Sequence, residues 1–330
     1  MAHQLVDSFG RTINNLRVSV TDHCNFRCIY CMPEEGMIFQ PKEEILTFSE
    51  ITRFVRIASN LGINKLRLTG GEPTVRQDFP TLVRMLSDLP GIDDIAMTTN
   101  GFLLDKMSLP LSKAGLSRIN VSLDTLDEEK FKKMTRRNVL KKVLKGLDEA
   151  VKHFQLPIKI NVVAIKGYTD DEILNFGEMA RTGPYQIRFI EFMPLDADRS
   201  WSRTQVLEGS EIIRKINQQW PLEEIKKPNQ REPADLFRFQ DGTGEIGLIR
   251  SVSEPFCESC NRIRLTADGK LRTCLFSIKE TDIKTLLRNN SSDIDISEAV
   301  ITAVQEKEPG HLINEPEFIQ PIRTMSSIGG

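Results

Sequence analysis

Histidine is scarce in this 330-residue chain, at four residues, tryptophan is scarcer at two, and long apolar runs are missing altogether. With no uninterrupted apolar stretch near bilayer length, no membrane-crossing helix is expected. The start, Met1 to Asp7, carries neither a basic nor an apolar segment, so no secretory signal is expected and the reading is cytoplasmic. A surplus of charge is missing too: 44 Lys and Arg face 46 Asp and Glu, a net charge of −2. That balance removes any whole-molecule argument for nucleic-acid or membrane binding and leaves anions to local basic clusters. Repeats and low-complexity segments are absent. Cysteine is absent between Cys31 and Cys257, and all six cysteines fall into two triplets, Cys24/Cys28/Cys31 and Cys257/Cys260/Cys274. A secreted disulfide framework is denser and smaller, whereas clustered thiols in a chain of this kind read as metal or redox chemistry.

What is present is ordinary in bulk and ordered in detail. A hydrophobic content of 39% at this length suffices for one large α/β domain, or one domain with an appendage. Short aliphatic or β-branched segments bounded by polar or Gly/Pro punctuation predict strands at Asn15–Val20, Lys65–Thr69, Ile95–Thr99, Arg118–Leu123, Ile158–Ile165 and Gln186–Phe192. Between them, amphipathic spacing predicts a helix from Ser49 to near Gly62, then Phe79–Leu89, Asp105–Ala114, Asn138–Phe154 and Asp170–Thr182. This α/β alternation implies a parallel sheet, most simply a partial (β/α)6 TIM-type barrel over residues 1–195. Residues 196–330 read as an α+β subdomain. It has a helix at Ser210–Trp220, a strand at Glu245–Val252, and a hairpin Asn261–Thr266 and Lys270–Leu275 turned at Asp268-Gly269. Helices near Thr281–Arg288 and Ile296–Gln305 follow.

In such a barrel, function gathers at the carboxyl ends of the strands. There stand, in order, the first triplet, Thr69-Gly70-Gly71-Glu72-Pro73, Thr98-Thr99-Asn100-Gly101, and Ser122 to Asp124. The fifth strand adds Lys159 and Asn161, the sixth Arg188, Glu191 and Met193. Each alone is an ordinary turn or surface charge; their joint placement describes one pocket. The C-x3-C-x2-C loop presents three sulfurs to one point, enough to hold a metal or an iron–sulfur cluster with one position left open. Cys257-x2-Cys260-x13-Cys274 offers the same. A structural zinc wants four protein ligands, and His23 is awkwardly placed while His311 is remote, so the cluster reading leads. Between the second set of cysteines lies Asn261-Arg262-Ile263-Arg264, whose two arginines share one strand face.

The first triplet, with the aromatic Tyr30 before Cys31, resembles the radical S-adenosylmethionine (SAM) superfamily. The resemblance implies a [4Fe–4S] cluster on Cys24, Cys28 and Cys31, whose open iron SAM chelates on the way to a 5′-deoxyadenosyl radical. Tyr30, Gly71, Glu72, Ser122 and Met193 fall on its SAM-binding positions. Over nearly the whole chain the sequence is similar to the GTP 3′,8-cyclase family of molybdenum cofactor biosynthesis. The stretches that carry this are Asp7–Gly10 with Arg11, Leu16–Pro33, Arg67–Pro73, Thr98–Gly101, Asn120–Asp124, Arg188–Met193, Phe256–Leu265, Thr273–Phe276 and Gly329-Gly330.

That similarity implies GTP as substrate and a second [4Fe–4S] cluster on Cys257, Cys260 and Cys274. The radical would take hydrogen from C3′, and C3′ would then join C8 of guanine. GTP contacts fall on Arg17, Arg67, Thr98, Lys159, Arg262 and Arg264, with Lys65 and Arg188 as further triphosphate partners. Arg262 and Arg264 are the catalytic candidates, orienting the nucleotide next to the second cluster. The terminal Gly329-Gly330 corresponds to a tail that enters the pocket. The same resemblance implies an electron donor such as flavodoxin or ferredoxin, cyclic pyranopterin monophosphate synthase as the next enzyme, and a homodimer. The competing readings are a peptide-modifying radical SAM maturase and a zinc-dependent nucleic-acid-binding protein.

Overall fold

The computed structural model describes residues 4–35, 37–227 and 231–329. Six strands, β1 Asn15–Ser19, β2 Lys65–Thr69, β3 Asp94–Thr99, β4 Arg118–Ser122, β5 Ile158–Ala164 and β6 Tyr185–Glu191, fall where the sequence places them. They alternate with α1 Phe48–Asn60, α2 Phe79–Ser87, α3 Leu104–Lys113, α4 Glu128–Thr135, α5 Leu140–Val151 and α6 Ile173–Thr182. Helix α1 starts one residue early because Thr47 and Glu50 form a reciprocal capping box, Glu50 N–H donating to Thr47 Oγ1 and Thr47 N–H to Glu50 Oε2. Helix α4 is an addition to the expected pattern. It ends where Arg136 turns left-handed at φ 56°, which separates it from α5.

The remaining elements are α7 Gly209–Gln219, β7 Leu222–Ile225, β8 Asp235–Phe239, β9 Glu245–Ile249, β10 Arg262–Leu265, β11 Lys270–Arg272, β12 Thr281–Asp282, α8 Ile283–Arg288, α9 Asp293–Gln305 and α10 Met325–Ile328. They add to both edges of one open twelve-stranded sheet, in the order β12-β11-β10-β1-β2-β3-β4-β5-β6-β9-β8-β7. Strand β10 runs parallel beside β1 and β9 parallel beside β6, so the parallel run is longer at each end than the six-strand pattern. Antiparallel hairpins finish both edges.

The period of two explains where the core sits. Leu66 and Leu68 on β2, Ile119 and Val121 on β4, and Ile160 and Val162 on β5 are buried beneath the helices. Their alternates are Lys65, Arg67, Arg118, Asn120, Ser122, Lys159 and Asn161, and these line a cavity on the opposite face. A barrel core filled by Val, Ile and Leu leaves no room for ligand; this polar interior is a chamber. No helix of the described residues is long and apolar enough to cross a membrane.

Stability therefore rests on the helix-facing layer, where Phe189 on β6 packs edge-on to Phe176 of α6 with ring centroids 6.0 Å apart. Phe189→Ala is expected to cost about 3–5 kcal/mol in denaturant unfolding. Ile322→Ala, at a position 89% exposed, is expected to change stability by less than about 0.5 kcal/mol.

Candidate active site

Strand β1 hands the chain through Thr21–His23 to the first triplet, and the glycine turn after β2 holds that loop down. Gly71 N–H donates to Thr21 O at 2.7 Å and Glu72 N–H to His23 O at 2.8 Å. A Cβ on Gly70 would stand 2.5 Å from Thr21 O, and one on Gly71 would collide with the His23 carbonyl, so the glycines let one backbone lie on the other. Glu72 is anchored rather than free. Its Oε1 accepts from Thr74 N and Oγ1 and from Thr99 Oγ1, and its Oε2 from Asn100 N at 2.6 Å. Burial raises its carboxyl against those donors, and one lone pair of Oε2 remains for a ligand's ammonium group.

Tyr30 Oη donates to Asp124 Oδ2 at 2.6 Å while Val163 N–H donates to Asp124 Oδ1 at 2.8 Å, which ties the cysteine loop to the ends of β4 and β5. Burial lifts the Asp124 carboxyl to about 6 in spite of both bonds. Ser122 and Met193 line the same end. Burial also pushes Cys24 up to about 12, Cys31 up to about 11, and Cys28 upward. Thiols in that state are poor nucleophiles, and a coordinating metal deprotonates them outright.

From this triplet a cavity of about 340 Å³ extends to the β10 arginines, and every residue expected to contact SAM or GTP lines it. Sheet register sets the arrangement. Arg262, Asn15 and Lys65 form one row across β10, β1 and β2, and Arg264, Arg17 and Arg67 form the next. Lys159, Arg188 and Thr98 face them from β5, β6 and β3. Burial lowers Arg17, with Arg264, Arg67 and Arg262 adding to the effect. Arg67, Arg188 and Arg264 fall to about 10, burial leading in each. Lys159 falls to about 7, through burial first and then Arg188 and Arg118. Arg17 Nε and Arg262 Nη2 are buried donors without a partner among the described residues, as Asn15 Oδ1 and Asn161 Oδ1 are acceptors. Such a chamber suits a polyanion.

The second triplet stands behind the far wall. Its cysteines do not line the cavity, but Phe256, Asn261 and Leu275 beside them do. Arg11, paired with Asp7 at 2.6 Å, anchors this region by donating Nη1 to Cys257 O and Pro309 O and Nη2 to Glu308 O. Burial raises Cys257 and Cys274. At Cys260 burial also acts upward, but Arg262 and Lys307 outweigh it and the thiol lies below its ordinary value. Among the described residues no three His, Cys, Asp or Glu side chains are spaced to hold a single metal ion. Within each triplet the thiols act on one another electrostatically, so each set converges on one place, as the three ligands of a cluster must.

The C-terminal segment crosses between the two ends. Arg323 grips Asp268 at 3.0 and 2.8 Å and Glu280 at 2.7 Å. Ser326 donates to the Cys31 sulfur through hydroxyl and backbone N–H. Gly329 adopts φ 72°, and its carbonyl accepts from Arg264 Nη1 at 2.6 Å. A Cβ there would meet Thr69 Oγ1 and Ser19. Gly330, the other glycine of the expected pair, lies outside the described residues.

Several residues of the site have no role in the sequence reading: Asn15, Arg118 and Ser326. The alternation that puts Arg262 and Arg264 on one face also puts Arg118, Asn120 and Ser122 on one, so period two was a sufficient signal for Arg118. Nothing local marks Ser326.

Comparison with known proteins gives the context. Residues 18–180 match the radical SAM superfamily and residues 185–313 match the Molybdenum Cofactor Synthesis C family. A GTP 3′,8-cyclase from Syntrophomonas wolfei subsp. wolfei is 44% identical over 99% of this chain and 100% of its own length. Another from Thermodesulfovibrio yellowstonii is 44% identical over 98% and 99%. Among solved structures, Streptococcus suis SuiB bound to S-adenosylmethionine superposes with a TM-score of 0.58 at 16% identity, covering 90% of this chain and 69% of that one. At that identity the likeness speaks for the fold alone. Near-complete coverage by relatives at 44% identity, together with both domain matches, shows that the chain belongs to the GTP 3′,8-cyclase family of radical SAM enzymes.

Proposed function

We propose that the chain converts GTP to (8S)-3′,8-cyclo-7,8-dihydroguanosine 5′-triphosphate, the first step of molybdenum cofactor biosynthesis. The observation that carries the reading is the chamber itself: unpartnered buried cations stand between two cysteine triplets, with room for a nucleotide between them. Cys24, Cys28 and Cys31 hold a [4Fe–4S] cluster that, with SAM, supplies an organic radical when bound. Gly71 and Glu72 receive the methionine end of SAM, and Tyr30, Ser122 and Met193 border its nucleoside. Arg17, Lys65, Arg67, Lys159 and Arg188 bind the triphosphate as charge-assisted donors, and Thr98 adds a hydroxyl. Arg262 and Arg264 orient the nucleotide against the wall behind which Cys257, Cys260 and Cys274 hold a second cluster. A flavodoxin or ferredoxin as electron donor, cyclic pyranopterin monophosphate synthase as consumer of the product, and a homodimer complete the reading.

Anaerobically reconstituted protein given SAM, dithionite and GTP is expected to yield a product of the cyclised mass. Formation of 5′-deoxyadenosine alone would overturn the reading and favour a different radical SAM substrate. Arg262→Ala with Arg264→Ala is expected to weaken GTP binding about 100-fold or more, from two lost charge-assisted bonds, with first-triplet iron unchanged.

Lys159 makes the site pH-dependent in a definite direction. Its folded value of about 7 lies below that of an unfolded lysine. Between the two the unfolded chain binds more protons, so the free protein gains stability as pH rises through that window. A triphosphate stabilises the ammonium form. Binding at pH 8 is therefore expected to take up a proton, seen as a buffer-dependent calorimetric enthalpy. The uptake should be absent in Lys159→Gln and small below pH 6.

A further inference from the structure

Lys307 is a buried lysine, 4% exposed, just beyond the end of α9. Among the described residues no carboxylate pairs with its ammonium group. Nζ donates instead to Arg262 O at 3.2 Å and to Thr273 O. The neighbouring Glu308 carboxylate makes no ion pair with Nζ and accepts instead from Thr273 Oγ1 at 2.8 Å and from Ser277 Oγ. Both carbonyls lie next to the second triplet, Thr273 preceding Cys274 and Arg262 standing two residues after Cys260, and the Lys307 charge reaches all three thiols. The residues after it close the same space. A Cβ on Gly310 would lie 3.3 Å from Cys257 Cβ, and His311 N–H donates to the Cys257 sulfur.

A cation is retained in a protein interior when a negative charge answers it. Neutral thiols cannot supply that charge, whereas three thiolates carrying an iron–sulfur cluster can. The two carbonyls that Nζ bridges also matter. One precedes Cys274, and the other belongs to Arg262, so a single ammonium ties the cluster wall to the strand that presents the nucleotide-facing arginines. We infer that Lys307 is the internal counter-cation of the second triplet, holding an anionic cluster on Cys257, Cys260 and Cys274 and raising its reduction potential. Net charge around a cluster is one of the protein's levers on potential. The inference rests on the second-cluster reading above and assigns Lys307 a positioning role, since it does not line the cavity.

The test uses the full chain with Cys24, Cys28 and Cys31 replaced by Ala, so that any cluster is the second one. This parent, reconstituted anaerobically, is expected to hold about four irons, and its midpoint potential is read by electron paramagnetic resonance. Lys307→Arg is expected to keep both iron and potential. Lys307→Gln retains donors to both carbonyls without charge, and is expected to shift the potential downward and lose at least half its iron on desalting. Lys307→Met should do the same, and if it fails to fold the Arg/Gln pair still decides. A Gln variant with parental iron and potential would show a mere strut and overturn the inference. A parent that binds no iron would instead overturn the second-cluster reading, and the inference would fall with it.

Discussion

Like charge confined in a small space is the constraint on which this structure depends. Arg17, Lys65, Arg67, Arg118, Lys159, Arg188, Arg262 and Arg264 line one cavity, and the carboxylates that share its lining are Asp94, paired with Arg118, and Glu72, Asp124 and Glu232. Such a group is stable only because the sheet fixes each strand independently of what its inward side chains prefer. The helix-facing layer supplies the hydrophobic stabilisation, and the lumen is left with guanidinium groups shifted downward by burial and by each other. Affinity for a polyanion follows, since each anionic oxygen relieves a repulsion as well as making a bond.

Holding loops over such a lumen requires anchors that do not depend on ligand, and two buried carboxylates provide them. Glu72 gathers Thr74, Thr99 and Asn100 beneath the first triplet. Glu191, at the end of β6, gathers Gly209 N, Val252 N, and Ser253 N and Oγ beneath the segment that leads to Cys257. Each is a carboxylate satisfied by four donors, the condition under which burying one is tolerable. The same residue type in the same strand-end position thus serves both ends of the chamber. It leaves one lone pair of Glu72 Oε2 for a further donor.

Much of this was legible in the sequence because period-two alternation is a local signal. β1 to β6 and the arginine pair on β10 needed nothing beyond it, and the cysteine spacings needed only coordination chemistry. What escaped was set by distance along the chain. The places of β9 and β10 beside β6 and β1 depend on long-range pairing that no window contains. β7 and β8 at the far edge are short and polar on one face. Lys307 looks like any charged residue after a helix until Thr273 and Arg262 are brought to it. Asp124 is placed in the pocket by its strand end, but its bond to Tyr30, ninety-odd residues away in sequence, is not legible locally.

The C-terminal segment joins these threads. Arg323 is fixed by Asp268 and Glu280, carboxylates on the hairpin turn and the loop that flank the second triplet's return strand. The six residues that follow reach Cys31 through Ser326 and Arg264 through Gly329. One short segment therefore contacts the thiol end and the arginine end together. Arg264 gives one Nη1 N–H to the Gly329 carbonyl, and its guanidinium has four further N–H groups. The tail therefore shares a guanidinium group with the cavity it crosses, which makes it part of the chamber's electrostatics.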